Sequence, residues 1–91
     1  MKTYLPALKR LARVLNRAKD EKDLQDLLED LLTPSELHDI DERILIVKAL
    51  KEGLPQRTVS KKLGVSIAKV TRGSQLIQYG KGALASFIEF D

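Results

Sequence analysis

The stretch that most constrains this chain is Gln56–Ser74, QRTVSKKLGVSIAKVTRGS, two short helical patterns around a break at Gly64-Val65-Ser66. Val59 and Leu63 fall four apart and share one helix face. After the break, Ile67 and Val70 fall three apart, and Val70 can face back toward Val59. Gly64 stands where a helix ends in left-handed backbone, a conformation glycine adopts without a steric cost. Ser66 offers an oxygen to cap the next helix, and small Ser60 lies where the two helices approach most closely. Spacing, break and cap together predict a helix-turn-helix, whose second helix enters the major groove of DNA.

The charge of this stretch agrees. Between Leu54 and Gly73 stand Arg57, Lys61, Lys62, Lys69 and Arg72, with no acidic residue among them. Phosphate backbones attract such a surface, and affinity for DNA depends largely on that attraction. The competing reading is an ordinary helix pair with a solvated lysine face. On the DNA-binding reading, Gln56 and Arg57 at the start of the first helix meet phosphate or a guanine edge. Lys61 positions the backbone, and Ile67, Ala68, Lys69 and Thr71 read base edges and thymine methyls.

Ninety-one residues make one helical domain with a thin core, since a chain of this size buries only about 60–65% of its unfolded surface. Leu, Ile and Val supply most of the apolar content, which suits packed helices. The net charge of +3 conceals a bipolar pattern: +6 over residues 1–19, −9 over 20–42, +8 over 43–82 and −2 over 83–91. A basic side facing nucleic acid is compatible with it. The absence of cysteine excludes a disulfide framework and thiolate metal ligation, and fits a cytoplasmic setting. No apolar run approaches the ~20 residues of a membrane span. The start, MKTYLPALKRLARVL, lacks a signal core; a membrane-surface role for this amphipathic helix is a further alternative.

In chain order, Leu5, Leu8, Leu11, Ala12 and Leu15 mark one face of a first helix, with Pro6 in its first turn. Asp20 is placed to cap a second helix carrying Leu24, Leu27, Leu28, Leu31 and Leu32. So many leucines in so short a chain predict an intersubunit core. Thr33-Pro34-Ser35-Glu36 reads as a capping box with proline at the first helical position. A third helix then runs to Glu52, with Leu37, Ile40, Ile44, Val47 and Leu50 on one face and Ile46 beside it, and Gly53 ends it. The fifth helix continues through Ile77, and Ala83–Phe90 forms a short last helix. Six helices result: residues 1–53 for dimerisation, 54–79 for the helix-turn-helix and 80–91 as a tail.

Nothing proposes catalysis. The single histidine, His38, lies between charged residues and reads as solvated surface. Asp39, Asp41 and Glu42 cluster, but spacings of one and two do not converge on a helix face. No acid, base and nucleophile come within reach of one another, and no metal-ligand spacing is present.

The run LTPSELHDIDERILIVKALKEGLPQRTVSKKLGVSIAKVTRGS, residues 32–74, resembles the bacterial tryptophan repressor family. Its landmarks are Leu32-Thr33-Pro34, Arg43 followed by Ile46-Val47, Gly53, Gln56-Arg57, Leu63-Gly64, Ile67-Ala68 and Thr71-Arg72-Gly73-Ser74. The resemblance implies an all-α, six-helix intertwined homodimer that represses transcription at double-stranded operator DNA. It also implies L-tryptophan as corepressor, lying between Arg43 and Arg72 near Leu32, Thr33, Gly73 and Leu76. Guanidinium planes stack on an indole ring, and one of them can pair with its carboxylate. The chain departs from the family pattern at Leu76, where a small residue usually meets the ligand's amino group. It departs again at Asp30, where an apolar residue is common, and in Gln78–Gly82, which is closer to uncharacterised relatives. Two alternatives follow: the same DNA-binding dimer with another effector or none, and a helical protein-interaction module. On either, Arg43 and Arg72 serve as an ion pair with the acidic segment and a phosphate contact.

Overall fold

The structure is a computed structural model and describes residues 4–88. Among these residues there are six helices and no strand. The chain divides into two compact units, Met1–Glu36 and Leu37–Asp91.

In the first unit, α1 spans Leu5–Leu15 and α2 spans Glu21–Leu31. Pro6 sits in the first turn of α1, where a missing N–H breaks no intrahelical bond. Asp20 caps α2 as expected: its carboxylate accepts from the Asp23 amide at 2.8 Å. Glu21 and Asp23 follow in the first turn, on the favourable end of the helix dipole. Neither helix contains a buried residue, and Leu5, Leu8, Leu11, Val14 and Leu31 are exposed. The unit closes on the capping box that starts α3 (Pro34–Lys51). The Glu36 amide donates to Thr33 Oγ1 at 3.1 Å, and the Thr33 amide donates to Glu36 Oε1 at 2.9 Å. Hydrogen bonding from the Thr33 amide, and secondarily from its side chain, holds the Glu36 carboxyl below its ordinary range.

The second unit holds the rest of α3, then α4 (Gln56–Leu63), α5 (Ile67–Tyr79) and α6 (Ala83–Phe87). Gly53, at φ 93°, turns the chain after α3. Gly64 ends α4 in left-handed backbone at φ 66°, a position that strains any residue with a Cβ. Ser66 then caps α5, accepting from the Lys69 amide at 3.2 Å. Ser60 donates across the turn to the Val65 carbonyl at 2.6 Å, so its small side chain fastens the junction it was expected to leave room for. Around that junction lies the core: Ile46 and Ala49 from α3, Val59 from α4, Val65 from the turn and Val70 from α5. Leu50, Leu54 and Leu63 pack against it.

Two differences from the sequence reading have physical causes. The expected stripe on α3 is buried only in part: Val47 is buried and Leu50 packs against the core, with Ile46 and Ala49 buried beside them, while Leu37 and Ile44 are exposed. From Ile44 to Leu50 the helix is apolar almost all round, so periodicity cannot choose its inner side. Contact with α4 and α5 makes that choice. The other difference is that α5 runs to Tyr79, two residues beyond Ile77, with Gly80 at its cap. The last helix begins at Ala83 as expected but ends at Phe87, short of the expected Phe90, because Ile88 is already extended; residues 89–90 fall outside the described residues. Lys51 Nζ donates to the Ala85 carbonyl and ties α6 to the end of α3.

Candidate functional site

Helical spacing builds the site within the second unit. Asp39, Glu42, Arg43 and Ile46 recur three, four and seven apart, so they form one face of α3. Lys69, Arg72, Gly73 and Leu76 repeat the same spacing on α5. The two faces line a single cleft of about 490 Å³, within the range of small-molecule sites. Its floor is set by Gly73, which is buried against Ile46. A Cβ built on Gly73 would lie 2.6 Å from Ile46 Cγ2, so only glycine lets α5 approach α3 this closely. Ile46 and Leu76 give the cleft apolar lining, and the remaining side chains are three cations and two carboxylates.

One ion pair crosses from helix to helix. Lys69 Nζ donates to Glu42 Oε1 at 2.8 Å, and His38 Nε2 lies 3.3 Å from Glu42 Oε2 one turn back on α3. The Glu42 side chain is 20% exposed, against 54% for Lys69. The hydrogen bond from Lys69 is the main influence holding the Glu42 carboxyl below its ordinary range, against a smaller opposing effect of desolvation. The same bond raises the Lys69 ammonium above its ordinary range, with Asp39 adding a weaker attraction.

The residues expected to meet a ligand fall in two places. Arg43, Arg72, Gly73 and Leu76 line the cleft. Leu32 and Thr33 belong to the first unit, where Leu32 caps the end of α2 and Thr33 caps α3. The residues expected to meet DNA also divide. Arg57 and Lys61 are exposed on α4, and Ile67, Ala68 and Thr71 are exposed on α5. Gln56 is half-buried, and its Oε1 accepts from Thr71 Oγ1 at 3.2 Å, which joins the first turns of α4 and α5. Lys69 was grouped with the exposed reading residues, yet its ammonium is on Glu42 at the cleft. Arg72, expected in both sets, also lines the cleft.

Sequence reasoning missed Asp39, Glu42 and Ile46 as cleft residues. Spacings of one and two within the acidic cluster point away from convergence. Asp39 and Glu42 are three apart and do share a face, and that spacing was the signal available. Among the described residues, no group of three or more His, Asp or Glu side chains is arranged to hold a metal ion. No helix among them is long and apolar enough to cross a membrane.

A family model described as Trp repressor protein matches residues 6–90. The chain belongs to this family. A Trp operon repressor homolog of Chlamydia trachomatis serovar D is 45% identical over 76 residues, covering 82% of this chain and 78% of the relative. A Trp operon repressor homolog of Xylella fastidiosa is 40% identical over 73 residues, 79% of each chain. One of Vibrio campbellii is 37% identical over 65 residues, 70% of this chain and 65% of the relative. No solved structure matches the chain. Membership of the Trp repressor family, a regulatory and non-enzymatic family, supports a repressor-type regulator.

Proposed function

We propose that the protein is a sequence-specific DNA-binding transcriptional repressor, acting in the cytoplasm as a homodimer with L-tryptophan as corepressor. The observation that carries this reading is the cleft between α3 and α5, which brings Arg43, Arg72 and Gly73 together directly behind the exposed first turns of α5. An indole ring stacks between the two guanidinium planes, and Arg72 pairs with the ligand carboxylate. Leu76 closes the cleft from α5. A ligand so held acts on DNA affinity only through the difference in its contacts between two settings of α5.

On this reading α4 and α5 are a helix-turn-helix. Ile67, Ala68 and Thr71 face base edges, and Gln56, Arg57 and Lys61 hold the strand beside them. Lys69 and Arg72 add positive charge at the margin. The exposed leucine faces of α1 and α2 support a dimer, because stripes of this kind are covered in stable proteins. A dimer also supplies two recognition helices for two half-sites.

The test is a calorimetric titration with L-tryptophan, run on the protein and on Arg72→Ala. Saturable heat that the substitution abolishes supports the corepressor; no heat at millimolar ligand removes tryptophan from the reading. A second reading, the same DNA-binding dimer with another effector or none, is favoured by Leu76 in the cleft wall and by the Glu42–Lys69 contact. Both readings fall to a protein-interaction module if DNA binding shows no sequence preference and vanishes at physiological salt.

A further inference from the structure

The Glu42–Lys69 contact joins α3 to α5 across the cleft. Its ends are 27 residues apart in the chain, and Lys69 stands in the first turn of α5, the turn whose amide Ser66 caps. On the α3 side, Glu42 is restrained by His38 one turn away and is mostly covered. Below it, Ile46 meets the backbone of Gly73. The two helices are thus joined at two levels, by apolar contact at Gly73 and by an ionic contact one turn nearer the start of α5.

We infer that Glu42 and Lys69 form an internal strut that holds the first turns of α5 against α3, making both of them positioning residues for the exposed face of α5. The inference extends the reading above in one respect: if α5 reads DNA and a ligand in the cleft braces it, the strut already supplies part of that bracing. The protein then binds operator appreciably without effector, and the effector adds less than it would to a cleft lacking the pair. Lys69 is correspondingly withheld from DNA while bonded to Glu42. A partly exposed contact of this kind shifts an equilibrium by no more than about fivefold, so the strut damps the response and does not abolish it.

Amide hydrogen exchange over residues 70–73 of the ligand-free protein tests the strut without reference to DNA. Glu42→Gln and Lys69→Gln should each speed exchange there about twofold to fivefold, with core amides around Val59 unchanged. The charge-exchanged double variant, Glu42→Lys with Lys69→Glu, should restore protection. Unchanged exchange in the single variants, equal acceleration throughout the unit, or no recovery in the double variant overturns the inference. A second arm measures operator affinity of Glu42→Gln with and without saturating L-tryptophan. The ratio should exceed that of the unaltered protein by the factor seen in exchange, and an unchanged ratio overturns the damping role. If the unaltered protein binds no DNA, the repressor reading and the damping role fall together, and the exchange result alone decides whether the strut exists.

Discussion

Gly73 is buried against α3, and the space for a methyl group there is already filled by Ile46 Cγ2. Gly73→Ala should therefore push Ile46 off its place in the core and lower stability by about 1–3 kcal/mol. Thermal unfolding would register this as a fall of roughly 4–8 °C per kcal/mol. An unchanged midpoint would mean that α5 moves away from α3 at little cost. Ser66→Ala removes a cap and should cost about 1 kcal/mol, localised at the start of α5. The charged residues divide differently. On the proposed function, Arg57→Ala should weaken binding to the operator far more than to random DNA, whereas equal losses would leave Arg57 a phosphate contact only. Lys61→Gln should reduce the slope of log affinity against log salt by about one and leave sequence preference alone.

At the scale of elements, the starts of α3 and α5 are set by local chemistry, and their pH dependence follows from it. The Glu36 carboxyl is held below its ordinary value near 4.5 by its bonds to Thr33. A depressed carboxyl stabilises above its unfolded value and loses that contribution as pH falls through the folded one. The difference in unfolding midpoint between the protein and Glu36→Gln should thus be level at neutral pH and close below about pH 4.5. A difference that persisted under strong acid would assign the effect to helix propensity instead. The Glu42–Lys69 contact has two limits. Glu42 is depressed, so its contribution is lost in acid; Lys69 is raised above 10.5, so its contribution is complete below that value and is lost at still higher pH.

For the whole molecule, the largest unmet requirement is cover for the apolar faces of α1 and α2. Leu8 and Leu11 are 51% and 43% exposed, and covering such half-exposed side chains gains about 1 kcal/mol each. On the dimer reading, sedimentation should give twice the 10.2 kDa of one chain. Leu8→Glu with Leu11→Glu should shift it toward one chain and lower the unfolding midpoint, while a monomeric starting protein would remove the homodimer from the proposed function. The exposed part of the α3 apolar surface, at Leu37, Ile44 and Leu45, belongs to the same question.

Local chemistry set the elements: Asp20, Thr33–Glu36, Gly64 and Ser66 act on amides within three residues or on their own backbone dihedral, so helix starts and the turn are legible without the rest of the chain. The family too was legible in the sequence, through landmarks spread from Leu32 to Ser74 that the match over residues 6–90 bears out. Only the tertiary structure decided which side of α3 is buried and how the acidic and basic segments meet. Periodicity identifies an inner face only when a helix has a polar one, and α3 is apolar nearly all round from Ile44 to Leu50. The partner of Lys69 was hidden for a related reason. A long cation in a basic stretch can reach DNA or a carboxylate, and the choice of Glu42 depends on the close approach of α5 to α3 that Gly73 permits.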